Sequence, residues 1–172
     1  MSKLLGLPNR VVQSIATILL NDPRVINLLY YTNKEDEDAD FLEYDTPPSS
    51  SLIDRNIFIG RRIPIPITDV GAFMAIRTFS YRPSYMNTGD FIKVAQIDID
   101  VICHKECQRT IYGTRDISLM ALVQEVLEKS DLTGISDHYR IISVSEKLGL
   151  HVDYSGYSMR IEITGFSKLL YD

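Results

Sequence analysis

Two short patterns in this chain could do chemistry. Asp98 and Asp100 stand two apart in the run Gln96-Ile97-Asp98-Ile99-Asp100-Val101. Alternate residues of a strand share a face, so the two carboxylates are neighbours. Neighbouring carboxylates can hold Mg²⁺ or Mn²⁺, as in a metal-dependent, nuclease-like enzyme. That chemistry also wants a positioned lysine or a further acid, and the sequence places neither. The same residues read equally as the polar face of an amphipathic strand, which needs no further assumption. The second pattern is Cys103-His104-Lys105-Glu106-Cys107. It offers three soft ligands, whereas structural zinc takes four, usually from two clusters. The other histidines, His138 and His151, lie far along the chain. Two thiols near a strand end are the simpler reading. On a continuous strand their Cα atoms would be about 13 Å apart. A disulfide needs roughly 4.4–6.8 Å, so one forms only if the chain turns there.

No Gly-x-Ser-x-Gly elbow, glycine-rich phosphate loop or dinucleotide fingerprint is present. Each of those spacings carries a specific chemistry, and their absence points away from an enzyme. No cofactor, catalytic residue or metal site is expected. The formal net charge of -5 lacks the basic footprint of non-specific nucleic-acid binding. The start of the chain reads as leading into a helix rather than as a signal peptide. No apolar run approaches the roughly 18 residues of a membrane span, so no membrane partner is expected. Two cysteines alone suit a reducing cytoplasm. The 172 residues suit a single domain.

The elements that would carry these residues follow from periodicity. A helix is expected over residues 9–20, with Val11, Val12, Ile15, Ile18 and Leu19 on one broad face. Asp22-Pro23 then starts a second, short helix. The run Lys34-Glu35-Asp36-Glu37-Asp38 reads as a solvated loop, and residues 46–51 as linker. Short strand 57–59 precedes an extended stretch over 61–68, where alternate prolines forbid a central strand. Strands are expected at 72–80, 91–104, 138–147, 150–154 and 157–166, with Gly156 at a turn or bulge. The helix over 114–130 has Thr114 as its cap and Asp116 in its first turn. The result is an α+β fold in one domain, 1–172. An antiparallel sheet of about four strands has helices on one face, with long extended arms. The alternation of Met159, Ile161 and Ile163 with Arg160, Glu162 and Thr164 implies a sheet covered on one side only.

Two segments stand out as contact surfaces. Within the 32–71 insert, Arg61, Arg62, Ile63, Ile65 and Ile67 form an extended arm whose isoleucines share one side. Such an arm lies either on its own sheet or on a neighbouring subunit. The turn-rich tip at 81–90 presents Tyr81, Arg82, Tyr85 and Met86, residue types enriched where proteins meet proteins. The competing reading is a tip folded back on its own sheet.

This order resembles that of the tail terminator proteins of tailed bacteriophages and their relatives at the head–tail neck. It comprises an N-terminal helix, a long hairpin, a helix and a closing pair of strands. The resemblance covers mainly residues 9–31 and 72–168. It rests on Val94–Val101 leading into the helix at 116–129, then 138–146 and 158–164. It is a likeness of layout, without signature residues to transfer. It implies a structural virion protein, assembled in the host cytoplasm, that forms a homo-oligomeric ring, commonly a hexamer. The ring caps the tail tube and meets tail tube, sheath or head-connector proteins. The arm and tip would supply the contacts between unlike surfaces that a closed ring needs. Asp98 and Asp100 are expected to face the lumen, past which DNA slides without specific binding. A metal-dependent enzyme using that pair and a monomeric protein-binding adaptor are the alternatives.

Overall fold

The computed structural model describes residues 7–32, 40–64, 69–85, 91–130, 138–148 and 150–164. The first helix, α1, spans Leu7–Leu20. α2 spans Pro23–Tyr30 and starts as its sequence demands. The Asp22 carboxylate accepts the Arg24 N–H, and Pro23 fills the first helical turn, where no donor is missed. Strand β1 is Ile57–Ile59, β2 Ala72–Tyr85 and β3 Phe91–His104. A small hairpin, β4 (Arg109–Thr110) with β5 (Gly113–Thr114), leads into α3, Arg115–Lys129. Thr114 takes the cap position of α3, but its side chain makes no capping bond. Strands β6 (His138–Glu146) and β7 (Tyr154–Thr164) close the sheet.

The five-stranded sheet has the order β1-β2-β3-β7-β6. β1 runs parallel to β2, and the four longer strands are antiparallel. The helices lie on one face. From α1, Val11, Ile15 and Leu19 reach the same core as Met74 and Ile76 of β2, Ile97, Ile99 and Val101 of β3, and Met159, Ile161 and Ile163 of β7. Leu119, Met120, Val123 and Leu127 of α3 complete it. Each such side chain contributes roughly 1.5–3 kcal/mol when fully buried, so this layer dominates the stability of the fold.

Three expectations change. β2 continues past Ser80 to Tyr85 and pairs with β3 as far as Tyr85↔Phe91, so half of the expected 81–90 tip is ladder. Cross-strand pairing overrides the turn-rich composition there. Gly156 marks neither turn nor interruption, and the expected strand at 150–154 is loop until Tyr154. Gly156 lies within β7 opposite Ile102, where a Cβ would come within 2.2 Å of the Val101 carbonyl oxygen. Glycine is there because β3 and β7 approach too closely for any side chain. Nor is the sheet covered on one side only. A second cluster of Phe58, Ile63, Phe73, Ala75 and Ile102, with Leu150 and Tyr154 against it, covers the β1 end of the opposite face.

Candidate functional site

Beyond that second cluster, the outer face of the sheet carries a belt of charge. Its centre is Asp98. The register places Arg77 of β2 and Arg160 of β7 on either side of it. Arg77 Nη2 donates to Asp98 Oδ2 at 2.8 Å, and Arg160 Nε donates to Oδ1 at 2.7 Å. A second Arg160 nitrogen reaches Oδ2 at 3.2 Å. The neighbouring Asp100 accepts from Ser158 Oγ at 2.7 Å and pairs with Lys147 Nζ at 2.8 Å. Arg77 Nε lies 3.6 Å from the same carboxylate. Further along, Ser80 donates to Gln96, Gln96 to Glu162, and Arg140 to Glu162. Four strands are thereby tied across their polar face. The Arg160 guanidinium also lies 3.4 Å from the centroid of the Phe79 ring, close enough for a cation–π attraction. The aspartates bring Arg160 further into its charged form, through hydrogen bonding to Asp98 above all.

This geometry corrects the placement of Asp98 and Asp100. Both are only 2% exposed. Their lone pairs are taken by two arginines, a lysine and a serine, so they present no bare negative charge to a lumen. Nor do they form an open metal pair, because a divalent ion would have to displace those donors. Among the described residues, no three His, Cys, Asp or Glu side chains gather closely enough to hold a metal ion. His104 is turned to a structural task, with Nδ1 accepting the Glu106 N–H at 3.2 Å.

The arm divides. Arg61 is exposed, pairs with Asp54 at 2.5 Å and lies over the Phe58 ring. Ile63 is buried in the second cluster, so this part of the arm lies on its own sheet. That resolves one of the two readings for Ile63 and is a correction to its use as an intersubunit contact. Ile65 and Ile67 fall outside the described residues, as does Met86. The positions of Arg82 and Tyr85 lie in β2, opposite Val94 and Phe91. Tyr81 shows 37% of its surface beside Phe79 at 49%, and burial raises the pKa of its phenol. Between arm and belt, Arg62, Ile63, Arg77, Asp100, Ile102, Lys147 and Leu150 line a pocket of about 270 Å³.

Sequence reasoning found the two aspartates but missed Arg77, Lys147, Ser158 and Arg160. The alternation in β7 showed which way Arg160 points. Its partner was hidden because the register between strands far apart in the chain leaves no local trace. No helix among the described residues is long and apolar enough to cross a membrane. No curated protein matches the chain. The family model YomW matches residues 22–163, more than half of the chain. The chain therefore belongs to the YomW family, a phage-derived family of the SPBeta-like prophage kind.

Proposed function

We propose that this protein is a non-enzymatic structural component of a phage particle. Its place is the tail terminator or neck, as a homo-oligomeric ring, commonly a hexamer, between the tail tube and the head connector. One observation carries the reading: among the described residues the sheet ends in two unlike, unfinished places. β6 is the outermost strand, and no strand pairs with its outer edge among the described residues. Ile142 and Val144 on it are 43% and 44% exposed. At the other place, the β2–β3 ladder continues through Pro83↔Lys93, Ser84↔Ile92 and Tyr85↔Phe91, past the last β7 pair among the described residues, Val94↔Thr164. These three pairs carry the hairpin about 10 Å further. Contacts between unlike surfaces of successive copies generate a ring when the rotation closes. An open strand edge is a ready template for such a contact.

The phage-derived family and the layout resemblance support the same reading. The cations and hydroxyl already held by Asp98 and Asp100 favour this reading over a metal-dependent enzyme. Native mass measurement of the full chain, together with image reconstruction of the particle that contains it, tests the proposal. The expected result is a closed ring, free or on the tail, in which β6 of one copy meets a different surface of the next. A protein that stays at its monomer mass of 19.6 kDa and is missing from the purified particle would overturn it.

A further inference from the structure

The chain's two cysteines meet at the end of β3. A 3-10 turn over Lys105–Cys107 folds the backbone over immediately after His104. This is the turn that the spacing required for the two sulfurs to approach. Cys103 and Cys107 are both buried, with their sulfurs 3.4 Å apart. The Cys107 thiol also lies 3.3 Å from the His104 carbonyl oxygen. Lys105 and Glu106, at the crown of the turn, are exposed.

A wholly buried arginine stands against this pair. Arg115 Nε donates to the Cys107 carbonyl at 2.6 Å, and Nη1 donates to the Leu28 and Tyr31 carbonyls at 2.9 and 2.5 Å. Its guanidinium packs on the Phe41 ring at 4.5 Å. Among the described residues no carboxylate pairs with it, and its buried Nη2 has no hydrogen-bond partner. A buried cation without a counter-ion favours any negative charge that can form beside it. The hydrogen bond from Cys103 lowers the pKa of the Cys107 thiol, and the Arg115 charge lowers it further against the effect of burial. Cys103 is pushed the opposite way, first by that same hydrogen bond. Of the two sulfurs, that of Cys107 is the more readily deprotonated, and that of Cys103 the more strongly proton-bearing.

We propose that Cys103 and Cys107 are a modification site, forming a reversible intramolecular disulfide with small peroxide oxidants. The Cys107 thiolate attacks one oxygen of hydrogen peroxide, forming an S–O bond and breaking O–O. The hydroxide released takes up a proton to become water. The Cys103 sulfur then attacks the oxidised Cys107 sulfur. The S–S bond forms, the S–O bond breaks, and the departing hydroxyl leaves with the Cys103 proton as a second water. Two thiols lose two electrons, and one peroxide gains them. The sulfurs must close to about 2.05 Å, a movement that the exposed crown of the turn can follow. The inference does not rest on the ring.

The full chain has only these two cysteines, so the assay is unambiguous. The folded protein is treated with hydrogen peroxide, then denatured, alkylated with iodoacetamide and weighed intact, with and without dithiothreitol. The expected result is loss of both alkylatable thiols and of two hydrogen atoms in mass, reversed by dithiothreitol. Two thiols still alkylatable, oxygen added to sulfur, or disulfide-linked dimers would each overturn the proposal. A second measurement separates the fold's contribution from mere closeness in sequence. Equilibrated against a glutathione couple, the folded chain should hold the disulfide at least about tenfold more strongly than the chain in urea. A smaller ratio overturns the claim that the fold prepares the pair.

Discussion

Replacing Asp98 with asparagine tests whether the charge belt holds the sheet together. The substitution keeps shape and one acceptor but removes the charge that two arginines share. Three contacts, at 2.8, 2.7 and 3.2 Å, lose their ionic character. Hydrogen bonds to charged groups contribute about 1.5–3 kcal/mol each, neutral ones about 1. Breaking a fully buried ion pair costs about 3–5 kcal/mol. The cost here is lower because the partners keep some water. The Arg77 side chain is 18% exposed and that of Arg160 is 32%. Asp98→Asn should therefore cost about 2 kcal/mol, and Asp98→Ala, which also leaves a gap, about 3. The assay is equilibrium unfolding in urea. With a slope of about 2 kcal/mol per molar, the Asn variant's midpoint should fall by about 1 M with the slope unchanged. In a double-mutant cycle with Arg160→Gln, the pair should show a coupling of about 1–2 kcal/mol. A change below about 0.5 kcal/mol, or a gain in stability, would refute the reasoning. It would mean that the carboxylate is not held by its neighbours and would return it to the role of an available negative charge.

Three further outcomes follow from particular contacts. Gly156→Ala should cost about 1–3 kcal/mol or more, the range for forcing extra atoms into a packed site. Its Cβ meets the Val101 carbonyl oxygen at 2.2 Å and Ile102 Cα at 2.9 Å, and thermal unfolding of the purified variant measures the loss. At Asp22, burial works to raise the carboxyl pKa, but the Arg24 side-chain and backbone hydrogen bonds together bring it below its ordinary value of 3.8. The stability it contributes is therefore present above pH 3.8 and is lost as pH falls through the lower, folded value. Asp22→Ala should lower stability at neutral pH by about 1 kcal/mol and flatten its decline below pH 4, as urea midpoints across pH would show. Ile142→Lys, at an exposed position on β6, should change stability by less than about 0.5 kcal/mol while weakening self-association. Sedimentation at several concentrations, or competition for incorporation into particles, distinguishes the two effects.

Elements that speak locally were legible in the sequence. The Asp22-Pro23 start of α2, the apolar stripe of α3 and the alternation of β3 each follow from spacing alone. What failed was non-local. The sequence of β2 past Ser80 looks like a turn, and only the partner strand across from it makes it a strand. The bulge between Thr78 and Ser80 inserts Phe79 and changes which residues oppose which on β3. Gly156 looks like punctuation, yet its reason lies on β3, more than fifty residues earlier. Asp98 and Asp100 were placed on the correct face but given the wrong surroundings. Their cations come from β2, β7 and the segment after β6. A carboxylate's charge is visible in one residue, whereas its neutralisation depends on the whole sheet.

The same sheet bears on the proposed ring, because its outer edge has to be tolerated before a partner meets it. A nine-residue outer strand bearing two half-exposed aliphatic side chains is a hazard in a free monomer, because unpaired edges recruit any available strand. β6 carries the features that limit this. A bulge between Ile141 and Ser143 breaks its register, and His138, Arg140 and Glu146 place ionisable groups along it. A flat, uncharged strand would find it difficult to pair there. A partner edge must accommodate the bulge around Ile142 and accept the charges on either side. In the proposed ring a second copy would bring one defined surface to that edge, whereas a random strand would meet the bulge and the charges. If self-association runs through β6, removing the bulge by deleting Ile142 should not strengthen the ordered ring. The deletion keeps the pairs from Ser143↔Arg160 to Glu146↔Tyr157, and therefore their faces, but makes the edge regular and so open to any strand. Irregular aggregates in place of defined rings are the expected product. Unaltered rings from the deletion variant would show that β6 plays no part in the contact.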